Sequence, residues 1–187
     1  MYTSGTIFNY LEYCKMNPKI NHYDHGIVGG LWLYDSLVKN YYLSFSRNKS
    51  ADFNDFYIND LHFSTSQFPI FAYLADCIIS HNMWFATDDY TIEQYEKYGL
   101  KQLTPPYAQP VQFNRNPILF ILALADTLEP IKTCSNLDIS PLDVLNNIEC
   151  EFNHKQITLA FKNNDMFNKM TDKINRSTNW LDINVHI

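Results

Sequence analysis

Several features are missing or scarce in this sequence, and each absence excludes a class of protein. The four cysteines are scattered, without a C-x-x-C pair or dense spacing, so neither a zinc knuckle nor a disulfide framework is indicated. Only 14 lysines and arginines stand against 20 acidic residues, a formal charge of −6, which leaves no broad cationic surface for duplex nucleic acid. We therefore expect a protein of a reducing cytoplasm that does not bind duplex nucleic acid.

Long hydrophobic runs are lacking as well. The longest apolar stretches, near residues 69–79 and 117–125, are too short to span a bilayer, and the first residues contain no basic segment followed by an apolar core. What is present is a chain of 187 residues with 46% hydrophobic side chains, which fits one globular domain with a single core. The sequence therefore predicts a soluble protein with no membrane partner.

Apolar residues recur at helical spacing along most of the chain. This periodicity predicts six helices, over residues 7–14, 25–45, 69–81, 117–129, 141–148 and 165–176. The helix over 117–129 is apolar nearly all round, so we expect it to be the central buried element. A weaker pattern over 90–97 indicates one more helix.

The remaining segments predict loops and one hairpin. Residues 46–67 are polar and aromatic without a clear period, so we expect a long loop with at most one helical turn. The proline-rich segment 103–116 is expected to be irregular. Residues 149–152 and 156–161 predict a β-hairpin. The fold class is therefore mainly α, with a helical domain over 1–135 and a C-terminal α+β appendage over 136–187, formed by the hairpin and the last helix.

Asp126 is the first candidate for chemistry, because it lies inside the apolar helix over 117–129. Glu129 follows one turn later and Pro130 ends the helix, so two carboxylates crowd the negative end of the helix dipole. A buried carboxylate needs a partner, and this arrangement needs a cation. Two interpretations stay open: Lys132 pairs with Glu129 while Asp126 bonds to backbone, or Asp126 binds a metal ion.

His81 closes an apolar helix and shares its face with Cys77 and Ile78, so its imidazole is expected to point toward the core. A histidine in such a position is either a packed core residue or C-terminal cap, or a ligand. The local pattern does not decide between these roles.

His25 opens a helix whose first turns contain Gly26, Gly29 and Gly30, at a cost in helix propensity. One interpretation makes Asp24 a plain N-cap and His25 a surface residue. In the other, the glycines let a second helix approach His25 closely, as a site built from several helices requires.

The order of these residues, and the segments around them, resemble the HD superfamily of metal-dependent phosphohydrolases. Residues 25–30 (HGIVGG) are similar to a family HG-x-x-G-[AG] segment, and residues 75–82 (ADCIISHN) to an A-x-x-I-x-x-H-[NT] segment. Residues 124–130 (LADTLEP) are similar to L-A-D-x-[IL]-E-P, the most specific of the three. The resemblance covers roughly residues 20–132, somewhat more than half of the chain.

The resemblance implies an HD-like helical bundle with a dinuclear site. In it, His25 and His81 would bind the second metal and Asp126 the first, the ions being Fe, Mn, Zn, Ni or Co. A metal-activated water would hydrolyse a phosphate ester or a nucleotide, with Asp126 and Lys132 as the catalytic residues and Lys132 as a phosphate contact. Lys101 and Arg115 are weaker candidates for that contact.

One departure from the family pattern lies upstream of His25. Family members have another histidine and then a His-Asp doublet there, whereas residues 1–24 contain His22 but no such doublet. A second alignment would make His25 the family's first histidine and His81-Asn82 an altered doublet. We prefer the first alignment because the glycines that follow His25 fit it better.

Three functional interpretations stay open, and the first two follow from the missing doublet. The chain is a phosphohydrolase or a fragment of one, incomplete at its N-terminus. Alternatively, it is a degenerate, non-catalytic HD-like module that binds a nucleotide or a protein partner. The third interpretation is a helical interaction domain unrelated to metals.

Overall fold

The computed structural model describes the chain in segments, which are residues 4–17, 23–48, 52–81, 93, 96–100, 110–153 and 156–183. The chain forms two compact units, an N-terminal unit over Met1–Tyr107 and a C-terminal unit over Ala108–Ile187. Its described part is mainly helical, with two small antiparallel hairpins, so the predicted class is confirmed at that level. None of the described helices is long and apolar enough to cross a membrane.

The N-terminal unit contains three of the predicted helices, which are α1 (Ser4–Met16), α2 (His25–Arg47) and α3 (Phe68–Ser80). Their bounds follow local signals. The side chain of Asp24 caps α2 by accepting a hydrogen bond from the Ile27 amide at 3.0 Å. Pro69 occupies the first turn of α3, where its missing N–H costs no helical bond.

The core of this unit lies where α1, α2 and α3 meet. Its fully or nearly buried members are apolar or aromatic side chains from all three helices and from the end of the unit: Tyr10, Tyr13, Cys14, Ile27, Leu31, Ile79 and Leu100. Gly30 lets α2 pack closely on α3 because it has no Cβ. A Cβ at this position would lie 2.5 Å from the Ile79 side chain and 2.7 Å from the Ala75 carbonyl oxygen.

The expectation of a long loop over residues 46–67 is wrong. Strands β1 (Asp55–Ile58) and β2 (Leu61–Ser64) form an antiparallel hairpin there, followed by a 3₁₀ turn at Thr65–Gln67. Its two-residue turn, Asn59-Asp60, has positive φ at both positions, as tight hairpin turns require. The strands lack alternating apolar and polar residues, and they pack through an aromatic cluster instead. In it, Tyr41 of α2 contacts the rings of Phe53, Phe56, Phe63 and Phe68.

The C-terminal unit contains the predicted C-terminal hairpin and helices. Its helices are α4 (Pro117–Leu128), α5 (Pro130–Thr133), α6 (Pro141–Asn146) and α7 (Asn164–Ser177). Strands β3 (Ile148–Phe152) and β4 (Ile157–Phe161) pair antiparallel, which confirms the predicted hairpin to within one residue. The core of this unit comprises Cys134, Val144, Met166 and Met170.

The prediction that the helix over 117–129 is the central buried element is wrong. Only Ala123 and Thr127 of α4 are buried, and the Ile121 side chain is 55% exposed. The residues of α4 are apolar nearly all round, so their pattern did not show which face of the helix packs. In the structure α4 packs mainly against α7. The boundary between the two units lies at residues 107/108, so α4 belongs to the C-terminal unit. The predicted boundary at 135/136, between the HD-like domain and the C-terminal appendage, stays a prediction. The helix expected over 90–97 and much of 103–116 lie outside the described residues.

Candidate metal centre

His25 is the first residue of α2 and is exposed at the surface of the N-terminal unit. The preceding residue, Asp24, is held by two hydrogen bonds. The Asp24 amide donates to the buried Tyr10 hydroxyl at 2.7 Å, and the Asp24 carboxylate caps the helix. The segment before His25 is thereby fixed to α1, and the imidazole projects from an anchored helix start.

His81 caps the C-terminal end of α3, and its ring is half-buried. Its Nδ1 atom is hydrogen-bonded to the Ile78 carbonyl oxygen of the last helical turn. A carbonyl only accepts, so Nδ1 carries the proton and Nε2 holds the lone pair in the neutral ring. Metal-ligating histidines in proteins show this same arrangement, in which a backbone carbonyl fixes the tautomer and orients the ring.

The two imidazoles are neighbours, with ring centroids 5.4 Å apart and planes at 67°. Gly26 makes this approach possible. A Cβ at that position would lie 2.8 Å from the Ile78 carbonyl oxygen and 3.1 Å from Cε1 of His81. Gly29, by contrast, has its nearest neighbour at 3.7 Å, which is ordinary contact. Gly26 at the start of α2 thus lets α3 bring His81 beside His25, as the second interpretation of this segment supposed, while the Asp24 cap and the exposure of His25 agree with the first.

Asp126 lies in the last turn of α4 in the C-terminal unit, with its side chain 19% exposed. The Lys132 ammonium is 4.0 Å from its Oδ1 atom and is itself well exposed. The Lys132 ammonium is therefore paired with Asp126, whereas the first interpretation of this helix paired it with Glu129.

Glu129 instead caps α5. Its two carboxylate oxygens accept hydrogen bonds from the Ile131 amide at 2.8 Å and the Lys132 amide at 2.7 Å. Pro130 follows the cap as the first residue of α5, where proline is favoured. The Glu-Pro pair of the L-A-D-x-[IL]-E-P segment is thus accounted for by helix capping.

Lys173 is a residue that the sequence did not single out. Its half-buried ammonium, on α7, donates to the Asp126 carbonyl oxygen and to Thr133 Oγ1, the latter at 3.1 Å. Burial lowers the pKa of Lys173, while the carboxylates of Asp126 and Glu129 act in the opposite direction. The one signal for such a contact was Pro130, which removes the amide that would otherwise bond to the Asp126 carbonyl.

The structure therefore places the predicted residues as follows. His25 and His81 lie side by side in the N-terminal unit, and Asp126 and Lys132 lie side by side in the C-terminal unit. Arg115 lies on an exposed turn before α4, and Lys101 lies outside the described residues. Imidazole nitrogens such as those of His25 and His81 are donors that suit transition metals such as Fe, Zn and Ni better than Mg or Ca.

Comparison of the chain with family models, with curated proteins and with solved structures found no match.

Proposed function

We propose that this chain is a metal-dependent phosphohydrolase of the HD superfamily, or part of one, and that His25, His81 and Asp126 are metal ligands. The observation that carries the proposal is the histidine pair. His81 is oriented through Nδ1 so that Nε2 can bind a metal, and Gly26 admits its ring beside His25. A core or capping histidine would need the bond to Ile78 but not a second imidazole beside it.

Each residue has a distinct part in the proposed reaction. A divalent transition metal would supply an activated water and neutralise charge on the phosphoryl oxygens. By the family resemblance, His25 and His81 would hold one ion from two helices, and Asp126 would be the carboxylate ligand of the other. The exposed Lys132 ammonium, beside Asp126, is suited to contact a substrate phosphate. The substrate class is a small phosphate ester or a nucleotide.

The test is metal binding by the purified, chelator-treated protein. We expect Co²⁺ or Mn²⁺ to bind in calorimetry, and His81→Ala or His25→Ala to weaken that binding at least about tenfold, as loss of a metal ligand should. His62→Ala is the matched control, because His62 is an exposed histidine of the same unit, on the β1–β2 hairpin. Absence of binding by the wild type, or equal binding by His81→Ala and His62→Ala, contradicts the proposal.

A degenerate, non-catalytic module is the second candidate, favoured by the absence of a His-Asp doublet from residues 1–24. Such a module would bind a nucleotide or a protein partner without turnover. Release of inorganic phosphate from p-nitrophenyl phosphate or nucleotides, measured with Mn²⁺ or Co²⁺ present, separates the two. Metal-dependent release that is lost in Asp126→Asn supports the enzyme, while nucleotide binding without release supports the module.

A further inference from the structure

The C-terminal turn of α4 has a hydrogen-bonding defect at Asp126. In an α-helix the carbonyl of one residue accepts from the amide four residues later. For Asp126 that residue is Pro130, which has no N–H. A carbonyl at the end of a helix that is partly shielded from water needs another donor.

Lys173 supplies that donor from a different helix. Its ammonium bonds to the Asp126 carbonyl oxygen and, at 3.1 Å, to Thr133 Oγ1. The Thr133 hydroxyl in turn donates to the Glu129 carbonyl oxygen at 2.7 Å. One side chain of α7 thereby links the last turn of α4 to Thr133, the last residue of α5.

The position of this contact distinguishes it from an ordinary helix cap. A lysine near a helix C-terminus commonly lies on the surface and bonds to the last carbonyls of its own helix. Lys173 is half-buried, comes from a helix 47 residues further along the chain, and bonds to the backbone of the proposed ligand itself. This bond therefore constrains the main chain of Asp126, from which the carboxylate projects.

We infer that Lys173 is a positioning residue for Asp126, acting through the Asp126 carbonyl rather than on substrate or metal. The inference rests on the proposed function, in which Asp126 is a metal ligand. Metal sites depend on such supporting contacts, and their loss typically weakens metal binding by about 10- to 100-fold.

The test compares Lys173→Met, which keeps the length of the side chain without its donors, with Lys173→Arg, which retains donors. Lys169→Met is the matched control, because Lys169 is an exposed lysine on the same helix. Two measurements are made on the full chain: amide hydrogen exchange of the peptide covering α4 and α5 without metal, and Co²⁺ affinity with the visible spectrum of the bound ion.

We expect Lys173→Met to speed exchange in that peptide, to weaken Co²⁺ binding by about tenfold or more, and to alter the Co²⁺ spectrum at saturation. Lys173→Arg should restore the spectrum, and Lys169→Met should match the wild type in every measurement. A purely structural role would change exchange but leave the spectrum of the saturated protein unaltered.

The outcomes separate this inference from the proposed function. If the wild type binds no Co²⁺, the proposed function fails and the positioning role fails with it. If the wild type binds Co²⁺ but Lys173→Met has the same affinity and spectrum, the positioning role alone is overturned. Unchanged hydrogen exchange in Lys173→Met likewise overturns it, because the anchor would then not hold the end of α4.

Discussion

Replacing Gly26 by alanine would put a methyl group into the α2–α3 contact at the point where the two histidines meet. That methyl would lie 2.8 Å from the Ile78 carbonyl oxygen and 3.1 Å from Cε1 of His81. The carbonyl belongs to the backbone of α3, so it cannot rotate away, and the His81 ring is fixed by its bond to that same carbonyl. The two helices must therefore move apart at the histidine pair.

The magnitude follows from a comparison with Gly29→Ala in the same helix. At Gly29 the nearest atom is 3.7 Å away, so alanine fits and should stabilise α2 by up to about 1 kcal/mol through helix propensity. At Gly26 overpacking costs about 1–3 kcal/mol, and the position lies in the first turn, where propensity counts less. We expect Gly26→Ala to be less stable than Gly29→Ala by about 1–4 kcal/mol, the sum of these effects.

Urea unfolding followed by circular dichroism measures the difference in stability, and Co²⁺ titration measures the effect on the site. Gly26→Ala should bind Co²⁺ at least about tenfold more weakly than the wild type, since the supporting geometry of His81 is lost. Gly29→Ala should bind as the wild type does. Equal stability of the two variants, together with wild-type Co²⁺ affinity in Gly26→Ala, would refute the reasoning about both the helix contact and the histidine pair.

Two further predictions concern the N-terminal unit. Gly30→Ala should destabilise the unit by about 1–3 kcal/mol in urea unfolding, because its Cβ would meet the Ala75 carbonyl oxygen at 2.7 Å, and a variant as stable as Gly29→Ala would contradict this. Tyr10→Phe should cost about 1 kcal/mol at neutral pH, because the Asp24 amide loses its bond to the Tyr10 hydroxyl. Burial also raises the pKa of Tyr10, so the unfolded state releases this proton first. The free energy of folding that comes from the protonated Tyr10 hydroxyl is fully present below about pH 10, the pKa of an unfolded tyrosine, and is lost as the pH rises above it. Melts from pH 8 to 11 should therefore show a smaller alkaline loss in Tyr10→Phe than in the wild type, and equal losses would contradict the assignment.

Much of the secondary structure could be predicted because its signals are local. Helix bounds followed from apolar spacing, from the Asp24 cap and from prolines in first turns. The β1–β2 hairpin was missed because its strands pack through aromatic rings around Tyr41 and show no clean alternation. Its turn, Asn59-Asp60, was the signal that could have revealed it, since these residue types tolerate positive φ.

The sequence by itself determined which residues were candidates for a site and which elements carry them, because periodicity, caps and prolines act over a few residues. The sequence predicted His25 at the start of a helix, His81 at the end of one, and Asp126 four residues before Pro130. Only the tertiary structure decided that Gly26 admits the His81 ring beside His25, and that Lys173 holds the Asp126 carbonyl from 47 residues away. A periodic pattern states which face of a helix is apolar, but the partner of that face is chosen by packing over the whole unit, which no local pattern records.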